Sequence, residues 1–489
     1  MRVAVPARTS LGSWGISAAA LGAAVLLSQM LAIGQLIVPI AVAGAILGFA
    51  FFDKITLSQW CVLLLLSSVA SRALVVLAGL PSILNFVHYP IAFGMALAAL
   101  RYPRDQQSSR SPGAWILGLV VLSLISLTAA FSHPIRALVF LVILGEPLVV
   151  MFAIHRWGAG ISEHDREQHS ALKKTCVVLL AVEIAVGLWQ GLTMGWGDDV
   201  RGTLMGQSAG AHVLAGLFAL GAFLILSRVL AGRMSRGRGL VMSGAMIGMI
   251  LAADARQVVL TMAIGVVAIG VLGRPGVQAG LERVSGWSLG RAVIALVVAA
   301  GSLFVFEQIF PGSFERARNL ANFDELAEVQ LIESRMGAPG TLIFGSGPGT
   351  SGSRASLLLT PGQFKEDSPL AALDLPPTKL GLEIAAESRS RSFGGSSESA
   401  ASTSLGVLGD LGLVGFLALA YLFVRLWFVL RRGGWLSTAA RGALIMTAGL
   451  IFVDNWLEYP EFAVPLAVLG GLALRESRSS ASSRVGEVG

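Results

Sequence analysis

Residues 404–430 read SLGVLGDLGLVGFLALAYLFVRLWFVL, an apolar run with one acid, Asp410, near its start and one base, Arg425, near its end. A membrane-spanning helix needs about 20 mostly apolar residues, and this run exceeds that. The residues before it are opposite in character. Residues 388–403, SRSRSFGGSSESAAST, are rich in Ser, Gly and Ala and read as flexible. Further back, the polar stretch reaches residue 311, where the apolar run 290–310 ends. A polar segment 311–403 held between two spans belongs to one side of a bilayer, and its side decides which substrates it meets.

The rest of the chain repeats the apolar pattern. Hydrophobic residues make up 54% of it and charged residues 13%, with a mean hydropathy of +0.74, well outside the range of soluble domains. Candidate spans fall at 14–33, 36–52, 57–79, 83–100, 113–131, 136–154, 172–194, 208–227, 239–253, 257–273, 290–310, 404–430, 439–457 and 461–474. The pairs 239–253 with 257–273, and 439–457 with 461–474, include short members that read as separate spans, re-entrant or fused. The expected fold is therefore an all-α polytopic membrane protein of 12–14 transmembrane helices (about 12–14, by span length). Its parts are a bundle over 1–310, a large extracytoplasmic loop over 311–403 containing short helices, C-terminal spans over 404–475, and a tail over 476–489. The first segment follows Arg2 and Arg8 as a signal peptide would. No clean small-residue cleavage site precedes the next apolar run, so it reads as a span. Cys61 and Cys176 both fall within spans and imply neither a disulfide framework nor a metal site.

Lys and Arg concentrate in the cytoplasmic loops of membrane proteins. With the N-terminus inside and the spans alternating, most of the 36 basic residues collect on the inner side. The short outer segments keep Arg136, Arg201 and Arg256. Both termini are then cytoplasmic and the 311–403 loop lies outside. The net charge of +7 comes mostly from these inner residues, and the loop holds eleven acidic residues against eight basic ones. No nucleic-acid reading survives.

No ATP or nucleotide sugar is at hand outside the cytoplasm, so an enzyme there usually acts on a substrate activated before translocation, such as a lipid-linked diphosphate. It needs fixed cations near the outer membrane face, and the planar fork of Arg binds phosphate in bidentate fashion. Arg201 stands in Gly197-Asp198-Asp199-Val200-Arg201-Gly202-Thr203-Leu204, and Arg256 in Ala253-Asp254-Ala255-Arg256-Gln257. A charge this close to hydrocarbon is costly without a partner or ligand. The plainer reading is a local ion pair, Arg256 with Asp254 and Arg201 with Asp198 or Asp199. His212, one turn into its span among small residues, is a candidate general base or a hydrogen-bonded packing residue. Glu146 and Glu183 read as helix-to-helix hydrogen-bond partners.

Within the loop, Gly345-Ser346-Gly347-Pro348-Gly349-Thr350-Ser351-Gly352 matches GxGxxG formally through Gly347, Gly349 and Gly352. That fingerprint requires a strand before it and a helix after it, and Pro348 and the outer location argue against it. A tight turn built on Gly345, Gly347 and Gly349 remains, either offering amides to a substrate or simply structural. Residues 314–336 carry apolar positions at near-helical spacing, which suggests amphipathic helices on the membrane face with Arg335 near their end. Glu398 is the one acid of the flexible 388–404 run.

The order of these motifs resembles the bacterial O-antigen ligase and polysaccharide polymerase superfamily, over roughly residues 195–430. The matching pattern is Arg201-Gly202-Thr203, Gly210 and His212 opening the next span, Arg256, Arg335, the 344–349 turn, and Gly409-Asp410-Leu411-Gly412-Leu413-Val414-Gly415. The resemblance implies that Arg201, Arg256 and Arg335 hold the diphosphate of a polyprenyl-linked glycan donor. An acceptor glycan hydroxyl then attacks the anomeric carbon, with no metal or cofactor. Ligases of this group carry a histidine late in the loop; this loop has none, and Ser396, Ser397 and Glu398 stand in its place. Either Glu398 or His212 then acts as base, or the reaction depends on orientation and leaving-group stabilisation. The reading favoured is a polymerase in the bacterial cytoplasmic membrane, with membrane lipids and a chain-length regulator as further partners. The alternatives are a ligase and, from another class, a flippase for lipid-linked oligosaccharides. A flippase is disfavoured because no internal repeat is found. A metal-dependent oligosaccharyl transferase would want an acidic pair in a long first outer loop, and that loop is short here.

Overall fold

A computed structural model describes residues 55–80, 82–100, 112–130, 133–157, 163–204, 210–272, 339–351, 353–359, 378, 382, 402–431 and 433–486. Every regular element among them is helical. In hydrocarbon no water is present to satisfy backbone polar groups, and an α-helix satisfies them internally. The elements are α1 (Leu57–Val69), α2 (Ser71–Ala78), a 3-10 turn (Ser82–Phe86), α3 (His88–Leu100), α4 (Pro112–Ala130), α5 (Pro134–Arg156), α6 (Glu163–Thr193), α7 (Gly210–Leu230), α8 (Arg236–Ala252), α9 (Arg256–Leu272), α10 (Pro339–Phe344), α11 (Arg354–Leu358), α12 (Thr403–Leu430), α13 (Trp435–Leu450), a 3-10 turn (Trp456–Glu458) and α14 (Pro460–Gly486).

The chain is a multi-pass membrane protein. Five described helices are long and apolar enough to cross a bilayer: Gly113–Ala130, Pro134–Arg156, Ser170–Thr193, Gly210–Leu230 and Thr403–Leu430. The pair α1 and α2, bent by 41°, makes a sixth if counted as one span. The expected spans between 57 and 273 and between 404 and 474 each coincide with described helix. Those at 14–33, 36–52 and 290–310 lie outside the described residues, as do the amphipathic segment 314–336, Arg335 and Glu398. The short members 239–253 and 257–273 are separate helices that pack on different neighbours, α8 mainly on α7 and α9 mainly on α13.

Local signals explain several helix starts. Thr56 and Gln59 form a reciprocal capping box at α1. At α5, His133 caps the helix through its ring and Pro134 occupies the first turn, where no amide donor is needed. Small residues let the helices approach closely: Gly216 lies against Trp456 and Phe462, Gly442 against Phe223, and Gly471 against Ile154. Two large cores result. One gathers Phe218, Phe223, Met249, Trp456 and Phe462 among α7, α8, α13 and α14. The other gathers Trp60, Met95 and Ile154 among α1, α3, α5 and α14.

Contacts between neighbouring helices define two ends of the bundle. Thr261 meets Gly449 and Ile269 meets Gly442, so α9 runs antiparallel to α13. Likewise, α7 passes from Trp456 at Gly216 to Trp435 beside Arg228. The starts of α5, α7, α9, α11 and α12, and the end of α13, therefore share one end with residues 339–359, the loop end. At the opposite end Arg156 caps the carbonyls of Ala99 and Leu100, Arg228 and Arg233 lie over Trp435, and Glu476 accepts from the Ser437 amide.

Candidate functional site

Three glycines with positive φ, Gly195, Gly197 and Gly202, bend the chain after α6. The bent segment is pinned to α6 by two side chains. Gln190 accepts from the Arg201 amide at 2.8 Å and the Gly202 amide at 2.7 Å, and donates to the Gly202 carbonyl at 2.8 Å. Glu183, 2% exposed, accepts from the Thr203 amide at 2.8 Å and from the Thr203 hydroxyl. Any side chain at position 202 would strike the Glu183 carboxylate, so Gly202 is required by close approach as well as by its φ of 58°. Glu183, expected to bond another helix, instead fixes the loop that carries Arg201.

That loop joins the α8–α9 turn directly. The Gly197 amide donates to the Ala252 carbonyl at 2.8 Å, and a Cβ on Gly197 would stand 3.9 Å from the Asp254 Cβ. Arg201 and Arg256, 55 positions apart in sequence, thus sit on adjoining turns. Arg256 pairs with Asp254 in bidentate fashion, Nε to Oδ1 at 2.8 Å and Nη2 to Oδ2 at 2.7 Å, with Asp254 at a left-handed φ of 48°. Arg201 donates from Nε to the Asp198 carbonyl at 2.7 Å and lies 3.8 Å from Asp199. The local ion pairs expected from sequence are therefore present. The Arg side chains keep 27% and 21% exposure, and partly exposed pairs of this kind contribute about 0–1 kcal/mol each, so a doubly charged ligand can compete with them.

The same end carries the start of α7. A Cβ on Gly210 would lie 3.3 Å from the Arg201 Cβ and 2.7 Å from the Leu204 carbonyl, so Arg201 packs over the first residue of α7. His212, two residues on, has a buried Nδ1 with no hydrogen-bond partner. The structure thus brings Arg201, Arg256 and His212 to one end of the bundle, while Arg335 and Glu398 lie outside the described residues.

The glycine turn forms a second, closed arrangement. Helix α10 precedes it where a dinucleotide fingerprint needs a strand. Asp410, fully buried, accepts from the amides of Gly349 (2.8 Å), Thr350 (3.1 Å) and Ser351 (2.7 Å), and from the hydroxyls of Ser351 (2.6 Å) and Ser353 (2.5 Å). The Ser346 and Gly347 amides donate to the carbonyls of Gly409 and Asp410. Gly345 and Gly412, at φ of 80° and 69°, let backbone lie on backbone, since a Cβ at either would collide with the other strand of chain. Buried Arg136 donates to the Gly349 carbonyl at 3.3 Å, and Ser126 to that of Asp410 at 2.7 Å. The amides of Gly345, Gly347 and Gly349 are spent within the protein, on the Thr341 carbonyl, the Asp410 carbonyl and the Asp410 carboxylate.

Sequence reasoning missed a third group. The Arg354 amide at the start of α11 donates to Glu458 Oε2 at 2.6 Å, and its guanidinium lies 4.9 Å from the Tyr459 ring centre. Glu458 is 3% exposed, and burial pushes its carboxyl up to about 8. Beside it Arg72 meets buried Glu461 at 3.9 Å, and His88 meets Glu146 at 2.6 Å, the helix-to-helix role expected of Glu146. Arg72, Arg354 and the 458–461 residues lie in three separated segments with no shared motif, so no spacing could have found them. No protein-family model matches this chain, and no curated protein matches it.

Proposed function

We propose that this protein is a polysaccharide polymerase of the bacterial cytoplasmic membrane that joins polyprenyl-diphosphate-linked oligosaccharide units without a metal. The observation that carries the reading is the hydrogen bond from Gly197 to Ala252, which makes neighbours of the turns bearing Arg201 and Arg256. Two guanidiniums on rigid, adjoining turns suit a diphosphate, whose charge grows as it departs. Positive residues gather at the opposite end of the bundle, including Arg156, Arg228, Arg233, Arg431 and Arg475, which supports an outward-facing loop end and cytoplasmic termini. In the reaction, an acceptor hydroxyl forms a bond to the anomeric carbon as the bond from that carbon to the diphosphate breaks, and the polyprenyl diphosphate leaves with the electron pair. Arg335 belongs to the same clamp in this reading. His212 and Glu398 are the sequence-derived candidates for taking the hydroxyl proton. A chain-length regulator is the expected protein partner.

Reconstitution of the full chain in vesicles with a polyprenyl-diphosphate oligosaccharide tests this. A ladder of longer products is expected. A single transfer would mark a ligase, and movement of the lipid without bond formation a flippase.

A further inference from the structure

At the loop end, Arg72, Arg201 and Arg256 each have an acid within ion-pair distance. At the opposite end the pattern reverses. Among the described residues, Arg228, Arg233, Arg236, Arg238 and Arg431 form no ion pair. All five are exposed or partly exposed. A charge beside hydrocarbon is costly without a partner, so these cations call for water or a ligand.

Two of the five are fixed in place. Helix α7 ends in a left-handed turn at Gly232, with φ of 67°. The Gly232 amide donates to the Val229 carbonyl at 3.0 Å, and the Arg233 amide to the Arg228 carbonyl at 2.8 Å. This pair of bonds is a common way of closing a helix on a glycine, and it brings Arg233 back beside Arg228. Both guanidiniums then lie over one ring, that of Trp435 at the start of α13, at 5.6 and 5.8 Å from its centre. A guanidinium stacked on an aromatic face keeps its N–H edge for a phosphate. Of the three nitrogens of Arg228, Nε is the one buried without a partner, and Arg233 is exposed, so these edges are open rather than packed. Glu476 faces Arg233, but its carboxylate is committed to the Ser437 amide at 3.1 Å and the Ser437 hydroxyl at 3.3 Å.

Apolar surface adjoins these cations. Residues four apart share a helix face, so Leu240 stands one turn along α8 from Arg236. Leu240, its neighbour Val241 and Leu230 at the end of α7 are all exposed. Unpaired cations directly beside apolar side chains match an anionic lipid, with phosphate at the guanidiniums and acyl chains along the helices. A soluble anion has no use for the apolar surface. We infer that the group formed by Arg228, Arg233 and Trp435 is a headgroup site for an anionic phospholipid that carries two phosphates, one for each guanidinium. The inference goes beyond the polymerase reading and stands without it.

The test uses the full chain purified in detergent, with bound lipid counted by native mass spectrometry as tetraoleoyl cardiolipin, dioleoylphosphatidylglycerol or dioleoylphosphatidylcholine is added. Cardiolipin should bind most tightly and phosphatidylcholine least. Equal binding of phosphatidylglycerol overturns the two-phosphate assignment, and equal binding of phosphatidylcholine overturns the site. Arg228→Gln combined with Arg233→Gln should weaken cardiolipin binding about 30-fold. Lys173→Gln combined with Lys174→Gln removes the same charge from exposed positions of α6 at the same end and should change binding by no more than about twofold. A similar fall in both variants, or a fall in neither, makes the affinity that of a diffuse basic belt and overturns the site. A measurement on the unmutated protein covers a variant that fails to fold. Inorganic pyrophosphate at equal phosphate concentration should not displace cardiolipin, and displacement overturns the lipid assignment. Polymer formation enters none of these readouts, so failure here and failure of the polymerase reading are separate results.

Discussion

The joined arginine turns and the Asp410 knot share one end of the bundle and use the same materials, glycines at positive φ and charged side chains. They differ in saturation. Asp410 is fully buried and meets five donors from a single loop, which leaves nothing for a ligand. Arg201 and Arg256 are held from behind, through Gln190 and the Gly197 to Ala252 bond, while their guanidiniums face acids that are themselves 50% and 27% exposed. Rigid backbone with replaceable side-chain partners is the arrangement a binding site needs; rigid backbone with exhausted partners is the arrangement of a structural joint.

Asp410→Ala should be the most damaging change. It strands three buried amides and two hydroxyls, and it should cost about 3–5 kcal/mol of stability, read as a large fall in the thermal midpoint of the purified protein in detergent. A midpoint near wild type would put the knot in the same class as the arginine turns. Next come Arg201→Ala and Arg256→Ala, each expected to reduce elongation about 100-fold or more with the thermal midpoint and membrane insertion unchanged. Arg→Lys at either position should also be severe, because a point charge cannot replace the bidentate fork. Unchanged polymer yield and chain length in either variant would remove the clamp from the comparison.

The third expectation concerns pH. Glu458 titrates at about 8 in the fold against 4.5 without it, so the folded protein binds this proton more tightly than the unfolded chain does. Its contribution to stability is full below about 4.5 and declines as pH rises through about 8. Thermal midpoints measured across that window should fall toward alkaline pH, and Glu458→Gln should flatten the fall. The smallest effect belongs to Asp254→Asn. The Arg256–Asp254 pair is partly exposed, so stability should change by less than about 1 kcal/mol, in contrast to Asp410. A loss of several kcal/mol on denaturant unfolding would mean the pair is a structural joint after all.

The sequence disclosed the spans because helix in lipid is a local property: a long apolar run has to hydrogen-bond internally wherever it lies. For the same reason α4 to α9 and α12 fall where their runs predict. It also disclosed the acids beside Arg201 and Arg256, since Asp199 and Asp254 are only two residues away, and the turn-forming glycines, whose conformations L-residues avoid. It did not disclose what those glycines serve. Gly345 and Gly412 are 67 positions apart, and only the folded chain lays one backbone on the other and sends the loop amides into Asp410. The union of the Arg201 and Arg256 turns and the bond from the Arg354 amide to Glu458 are likewise products of packing. Hydropathy and charge act through composition along the chain, whereas hydrogen bonds require particular atoms within about 3 Å of one another, and that proximity exists only once the helices have packed.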